Sequence, residues 1–152
     1  MPRILVLAIG NPLRSDDGLA WRAADELRST TPPAEIEIVK AHQLAPELAE
    51  DVSRAAQVIF IDAAATGDPG RLSCEGVVRS TADFASSHSF TPSALLQLSA
   101  TLYGVAPEAF LVSVAGKSFE HGQLLSPEVE QALPQLVAKI RELMLEAGTE
   151  ST

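Results

Sequence analysis

The sequence predicts a doubly wound α/β sheet, parallel in its centre and flanked by helices. Three features of the chain point there. Short apolar runs rich in β-branched residues stand at 4–9, 58–61 and, broken only by Ser113, 109–114, and unalternating runs of that length are strands covered on both faces. Amphipathic segments with helical spacing separate them. The two kinds alternate along the chain, which calls for crossover connections and parallel neighbours.

Ile4 to Ile9 opens the chain as a buried strand and breaks at Gly10-Asn11-Pro12. Leu19, Ala20, Ala23, Ala24 and Leu27 then recur on one helical face, with Arg22, Asp25, Glu26 and Arg28 opposite. Thr31-Pro32-Pro33 is a connection, and Ile36-Glu37-Ile38-Val39 alternates as a strand does. Residues 45–56 read as a second helix, with Leu48, Val52 and Ala55 on one stripe and Pro46 in its first turn, a position where the missing N–H is harmless. Val58 to Ile61 is a buried strand ending at Asp62. Gly67-Asp68-Pro69-Gly70 is a turn, and Leu72 to Val78 an edge strand of either direction, in which the lone Cys74 is expected to pack as a small hydrophobe. Thr91-Pro92 caps and opens a helix from about Ser93 to Leu102; Ala109 to Val114 is the next strand. The last helix starts at Ser126-Pro127-Glu128 and carries Val129, Leu133, Leu136, Val137, Ile140, Leu143 and Met144 on a broad stripe. With no repeat, linker or low-complexity stretch, residues 1–152 read as one domain.

The balance of 11 Lys and Arg against 20 Asp and Glu gives a net charge of -9. Such a surface repels phosphate backbones and anionic lipid, so nucleic acid and membrane partners are disfavoured. Neither a signal peptide nor a run near the ~20 apolar residues of a membrane span is seen, and one cysteine excludes an internal disulfide; a cytoplasmic monomer is the expectation.

Two carboxylates follow the first strand: Asp16 and Asp17, just ahead of the first helix. One of them can cap that helix, which leaves the other free to face the cavity above the sheet. Asp62 follows four large apolar residues and precedes Ala63-Ala64-Ala65, where a carboxylate is expensive unless a cation or donor meets it. In parallel strands Asp17 (or Asp16) and Asp62 emerge at one sheet edge, where open α/β sheets bind ligands. His88, in the polar loop Ser86-Ser87-His88-Ser89, is the third candidate, equally at home solvated. His42, near a strand end, stands where it would line the same cleft, and His121 reads as an exposed loop residue. Two carboxylates and an imidazole suit a divalent nickel, zinc or iron ion. The glycine patterns of dinucleotide and phosphate loops, and the Gly-x-Ser-x-Gly elbow, are absent.

Gly10-Asn11-Pro12-Leu13-Arg14-Ser15-Asp16-Asp17-Gly18 behind an N-terminal strand resembles the signature of the hydrogenase maturation endopeptidases, which trim the C-terminal tail of nickel-iron hydrogenase large subunits. The resemblance continues through the strand into Asp62, the loop with His88, and Ser118-Phe119-Glu120 to Leu125-Ser126-Pro127, and so covers nearly the whole chain. It implies a three-layer α/β/α sandwich with a mostly parallel twisted sheet. It also implies that Asp17, Asp62 and His88 are the catalytic and nickel-contacting positions. Nickel would arrive in the large-subunit precursor as a recognition element, not as a cofactor of the free protease. A metal-polarised carbonyl, a metal-bound water and a carboxylate-activated water all remain compatible with these residues. The chain departs from some members after the histidine, with Ser89-Phe90-Thr91-Pro92 in place of a more hydrophobic stretch. The alternative is a metal or precursor chaperone without catalysis on the same fold.

Overall fold

A computed structural model describes residues 3–30, 35–80 and 90–150. In chain order the elements are β1 (Ile4–Ile9), a 3-10 turn (Ser15–Gly18), α1 (Leu19–Thr30), β2 (Ile36–Ala41), a 3-10 turn (Pro46–Leu48) and α2 (Ala49–Ser53). There follow β3 (Gln57–Ala64), β4 (Leu72–Gly76), α3 (Pro92–Tyr103), β5 (Glu108–Ala115) and α4 (Pro127–Glu150). The strands form one sheet in the order β2-β1-β3-β5-β4, parallel except for β4, which pairs antiparallel with β5 at the edge.

All six residues of β1 are buried, because successive side chains enter opposite layers. Ile4, Val6 and Ala8 join Ile59, Ile61, Val112 and Val114 beneath α1 and α4. Leu5, Leu7 and Ile9 join Val58, Phe60 and Ala109 beneath α2 and α3. The result is the three-layer sandwich. Leu19 and Leu27 of α1 and Leu136 of α4 are fully buried, each worth roughly 1.5–3 kcal/mol.

Helix ends follow the sequence. Thr91 Oγ1 accepts the Ala94 N–H at 3.1 Å, and Gly104 closes α3 in the left-handed conformation. Ser126 Oγ accepts the Val129 N–H at the start of α4. The second helix is shorter than the pattern over 45–56 predicts. Pro46 opens a 3-10 turn, and the chain leaves α2 early because the Ala56 N–H turns to the Arg3 carbonyl, at 2.8 Å, to start β3. Cys74 does not pack as expected: it is exposed on the edge strand β4. Among the described residues no helix is long and apolar enough to cross a membrane.

β2 and β3 flank β1 on opposite sides. The chain leaving β1 enters α1 on one face of the sheet and the chain leaving β2 enters α2 on the other, and a crevice lies at the carboxyl ends of these strands.

Candidate functional site

That crevice is a cleft of about 360 Å³ on the α2 and α3 side of the sheet. Ile9, Phe60 and Leu111 make an apolar floor, Phe90, Thr91 and Pro92 at the start of α3 one wall, and His42, Gln43 and Leu44 beyond β2 another. Asp17 and Asp62 enter it from the sheet edge. Ala8 of β1 pairs with Ile61 of β3, so Asp62 stands beside the end of β1, where the chain turns toward Asp17.

The two adjacent aspartates have been separated by the turn that carries them. Asp16 is fully buried. Its Oδ2 accepts the N–H groups of Lys117 and Ser118 at 2.7 and 3.0 Å and the Ser126 hydroxyl at 2.9 Å, and its Oδ1 accepts the Ser126 N–H at 2.7 Å. Burial pushes this carboxyl up, yet the bonds from Ser126, Lys117 and Ser118 together hold it below the ordinary carboxylate range. Asp16 therefore does not cap α1. It ties the first loop to the loop after β5 and to the start of α4.

Ser15 and Arg14 complete the tie. The Ser15 N–H donates to the Gly122 carbonyl and its hydroxyl to the Glu120 carbonyl, both at 2.8 Å, while Arg14 Nε reaches the Phe119 carbonyl at 3.2 Å. These bonds hold Ser15 at φ 52°, a left-handed conformation that is uncommon for a residue with a Cβ.

Asp17 faces the other way. Its Oδ2 accepts the Asn11 N–H at 2.9 Å, and no α1 amide caps on it, so the expectation that one of the pair caps that helix is corrected for both. The approach is close: a Cβ on Gly10 would lie 1.9 Å from the Asp17 carbonyl oxygen. Only glycine lets β1 end against this turn.

Among the described residues Asp62 accepts only the N–H of the next residue, Ala63, at 2.8 Å. Burial raises its carboxyl to about 6; the Ala63 bond opposes the rise and the charge of Asp17 adds to it. A carboxyl in that range exchanges its proton near neutrality, as acid-base groups must. Neither Lys nor Arg occurs among the described residues lining the cleft.

Of the remaining candidates, His42 lines the cleft, as its place after β2 suggested, and His121 is exposed on the loop after β5. His88 lies outside the described residues; the described chain resumes at Phe90 in the cleft wall. Among the described residues no three His, Cys, Asp or Glu side chains are close enough to hold a metal ion. The structural part of Asp16 was not legible in the sequence, since its donors lie 101 to 110 residues away. The apolar floor is legible only once the parity of β3 is known.

The fold has known counterparts. The chain is similar to the hydrogenase maturating endopeptidase HybD from E. coli, with 26% identity and a TM-score of 0.76 over 96% of this chain and 94% of that one. It is similar to the hydrogenase 2 maturation peptidase of a Thaumarchaeota archaeon, with 29% identity and a TM-score of 0.72 over 93% of this chain and 97% of that one. The [NiFe] hydrogenase maturation protease HybD from Thermococcus kodakarensis shares the fold, with 23% identity and a TM-score of 0.72 over 93% and 98% of the two chains. No protein-family model matches the sequence, and no curated protein does. The resemblance read from residues 10–18 thus extends to the whole architecture, and the neighbours that carry it are hydrolases.

Proposed function

We propose that this chain is an endopeptidase that removes the C-terminal extension of a nickel-iron hydrogenase large-subunit precursor once nickel has been inserted. The observation that carries the reading is the convergence of Asp17 and Asp62 in a cleft with no Lys or Arg among its described lining residues. Two carboxylates facing one cleft attract a divalent ion borne by a substrate. His88 is the third nickel contact in this reading, two residues from Phe90 of the cleft wall. Nickel belongs to the substrate and orients the precursor. The partner is the precursor alone, met in the cytoplasm by a monomer.

The described lining residues include no Ser or Cys, and the Thr91 hydroxyl is engaged by the Ala94 N–H. Attack by water, with Asp62 or Asp17 accepting its proton, fits these groups better than a covalent intermediate. The strands supply the alignment: Asp17 is fixed by the Asn11 N–H and by the tie beneath it, Asp62 by the ladder between β3 and β5.

The reading is tested by supplying the cognate nickel-loaded precursor to the wild type and to Asp17→Asn, Asp62→Asn and His88→Ala, and following the precursor's C-terminal mass. Each variant is expected to lose processing by at least a hundredfold, about 2.7 kcal/mol or more in the barrier, while its circular dichroism stays native. Processing retained in all three would sink the assignment. Tight binding by the wild type without shortening would favour the chaperone.

A further inference from the structure

We infer that His42 is a substrate-binding residue, whose imidazole hydrogen-bonds the main chain of the precursor segment that crosses the cleft. The inference rests on the proposed function in taking the cleft as the peptide's seat, and it names the wall that grips the peptide.

His42 follows the last residue of β2, and Ile9 of β1 pairs with Ala41, so it leaves the sheet at the same edge as Asp62. Its neighbour is locked there: Ala41 O accepts the Gly10 N–H at 3.0 Å and Trp21 Nε1 at 3.2 Å. The imidazole is exposed, yet it does not swing free. It makes a T-shaped contact with the Trp21 indole, with ring centroids 5.1 Å apart and an interplanar angle of 80°, and Lys40 Nζ lies over the same indole, 5.4 Å from its centroid. An oriented exposed ring has already lost much of the rotamer freedom that binding would otherwise remove.

Both ring nitrogens are unused, as neither has a hydrogen-bond partner among the described residues. The ring cannot join Asp17 and Asp62 as a compact ligand set, because no such group of three exists among the described residues. The cleft that His42 lines also has the apolar floor of Ile9, Phe60 and Leu111, and Leu44 lines it too. A floor of that kind takes an aliphatic or aromatic side chain of an extended peptide, and a rim donor and acceptor then meet its amides.

The test compares His42→Phe and His42→Gln with the wild type. Phenylalanine keeps the edge contact with Trp21 and removes both nitrogens; glutamine keeps a donor and an acceptor. On nickel-loaded precursor, His42→Phe is expected to raise KM about tenfold, the loss of one well-placed hydrogen bond, with a far smaller change in kcat and an unaltered melting temperature. His42→Gln is expected to recover most of that loss. An unchanged KM in His42→Phe would reduce His42 to packing on Trp21, and a fall in kcat at constant KM would make it a proton-transfer group; either overturns the inference. If the wild type cuts no precursor, the proposed function falls, and a second arm still decides. Trp21 is the only tryptophan of the chain, so its fluorescence reports on the His42 wall. A synthetic peptide spanning the extension and the cleavage point should change that fluorescence saturably, with about tenfold weaker affinity for His42→Phe. No change, or equal affinity, overturns the inference.

Discussion

Replacing Asp62 by asparagine is expected to make the protein more stable at neutral pH while removing its activity. Burial comes first among the causes that raise the Asp62 carboxyl from 3.8 to about 6, followed by the opposing Ala63 N–H and the added charge of Asp17. At 1.36 kcal/mol per pKa unit, that gap corresponds to about 3 kcal/mol. The sign follows from linkage. Well below pH 4 the group is neutral in both folded and unfolded chains and has no effect. As pH rises, the unfolded chain ionises first, so the fold loses stability until the folded group has ionised as well, just above pH 6. Asparagine abolishes that loss, and its Oδ1 still accepts the Ala63 N–H. Because the cleft is open to water, about 3 kcal/mol is an upper bound and about 1 kcal/mol the least expected. Urea unfolding of both proteins from pH 4 to pH 8 measures it. The curves should lie closest near pH 4, separate further between pH 4 and about 6.5 with the variant more stable, and run parallel above. A variant less stable than wild type at pH 7.5, or a pH-independent difference, would refute the electrostatics given for the cleft.

Other perturbations should behave differently. Asp16→Asn turns an amide toward donors that now meet a carboxylate, and should destabilise by about 3 kcal/mol, lowering the melting temperature by about 6–12 °C. Since the folded Asp16 carboxyl is held below its ordinary value, the stability it contributes is complete above the unfolded value and is lost as pH falls through the folded one; Asp16→Asn should flatten that acid limb in a pH-dependent melting series. Asp17→Asn should leave the melting temperature within about 2 °C of wild type or raise it, and should shrink the stability gained by Asp62→Asn, as a double-mutant cycle would show. Gly10→Ala places a methyl on the Asp17 carbonyl and should destabilise by about 3 kcal/mol, seen as a lower urea midpoint; a neutral effect would mean the turn is not seated on β1.

Much of this was legible in the chain because it is local. The unbroken burial of β1, the Thr91-Pro92 and Ser126-Pro127 starts of α3 and α4, and the emergence of Asp17 and Asp62 at one edge all follow from short-range pattern plus the rule that crossovers make parallel strands. What was not legible depends on partners far along the chain. The part played by Asp16 is set by Lys117, Ser118 and Ser126, and the early end of α2 by the carbonyl of Arg3. The direction of β4 needed β5, since an apolar pattern at an edge carries no direction. The orientation of His42 needed Trp21, on the helix after β1. Residue types identified the candidate carboxylates, and only tertiary hydrogen bonding told which one is structural.

One comparison decides whether substrate-borne nickel licenses cleavage. The purified protein is incubated with its cognate large-subunit precursor, loaded with nickel in one sample and nickel-free in the other, and the precursor's C-terminal mass is followed. Loss of the extension in the loaded sample alone is the expected result; equal cleavage of both, or of neither while the loaded precursor binds, would contradict the account.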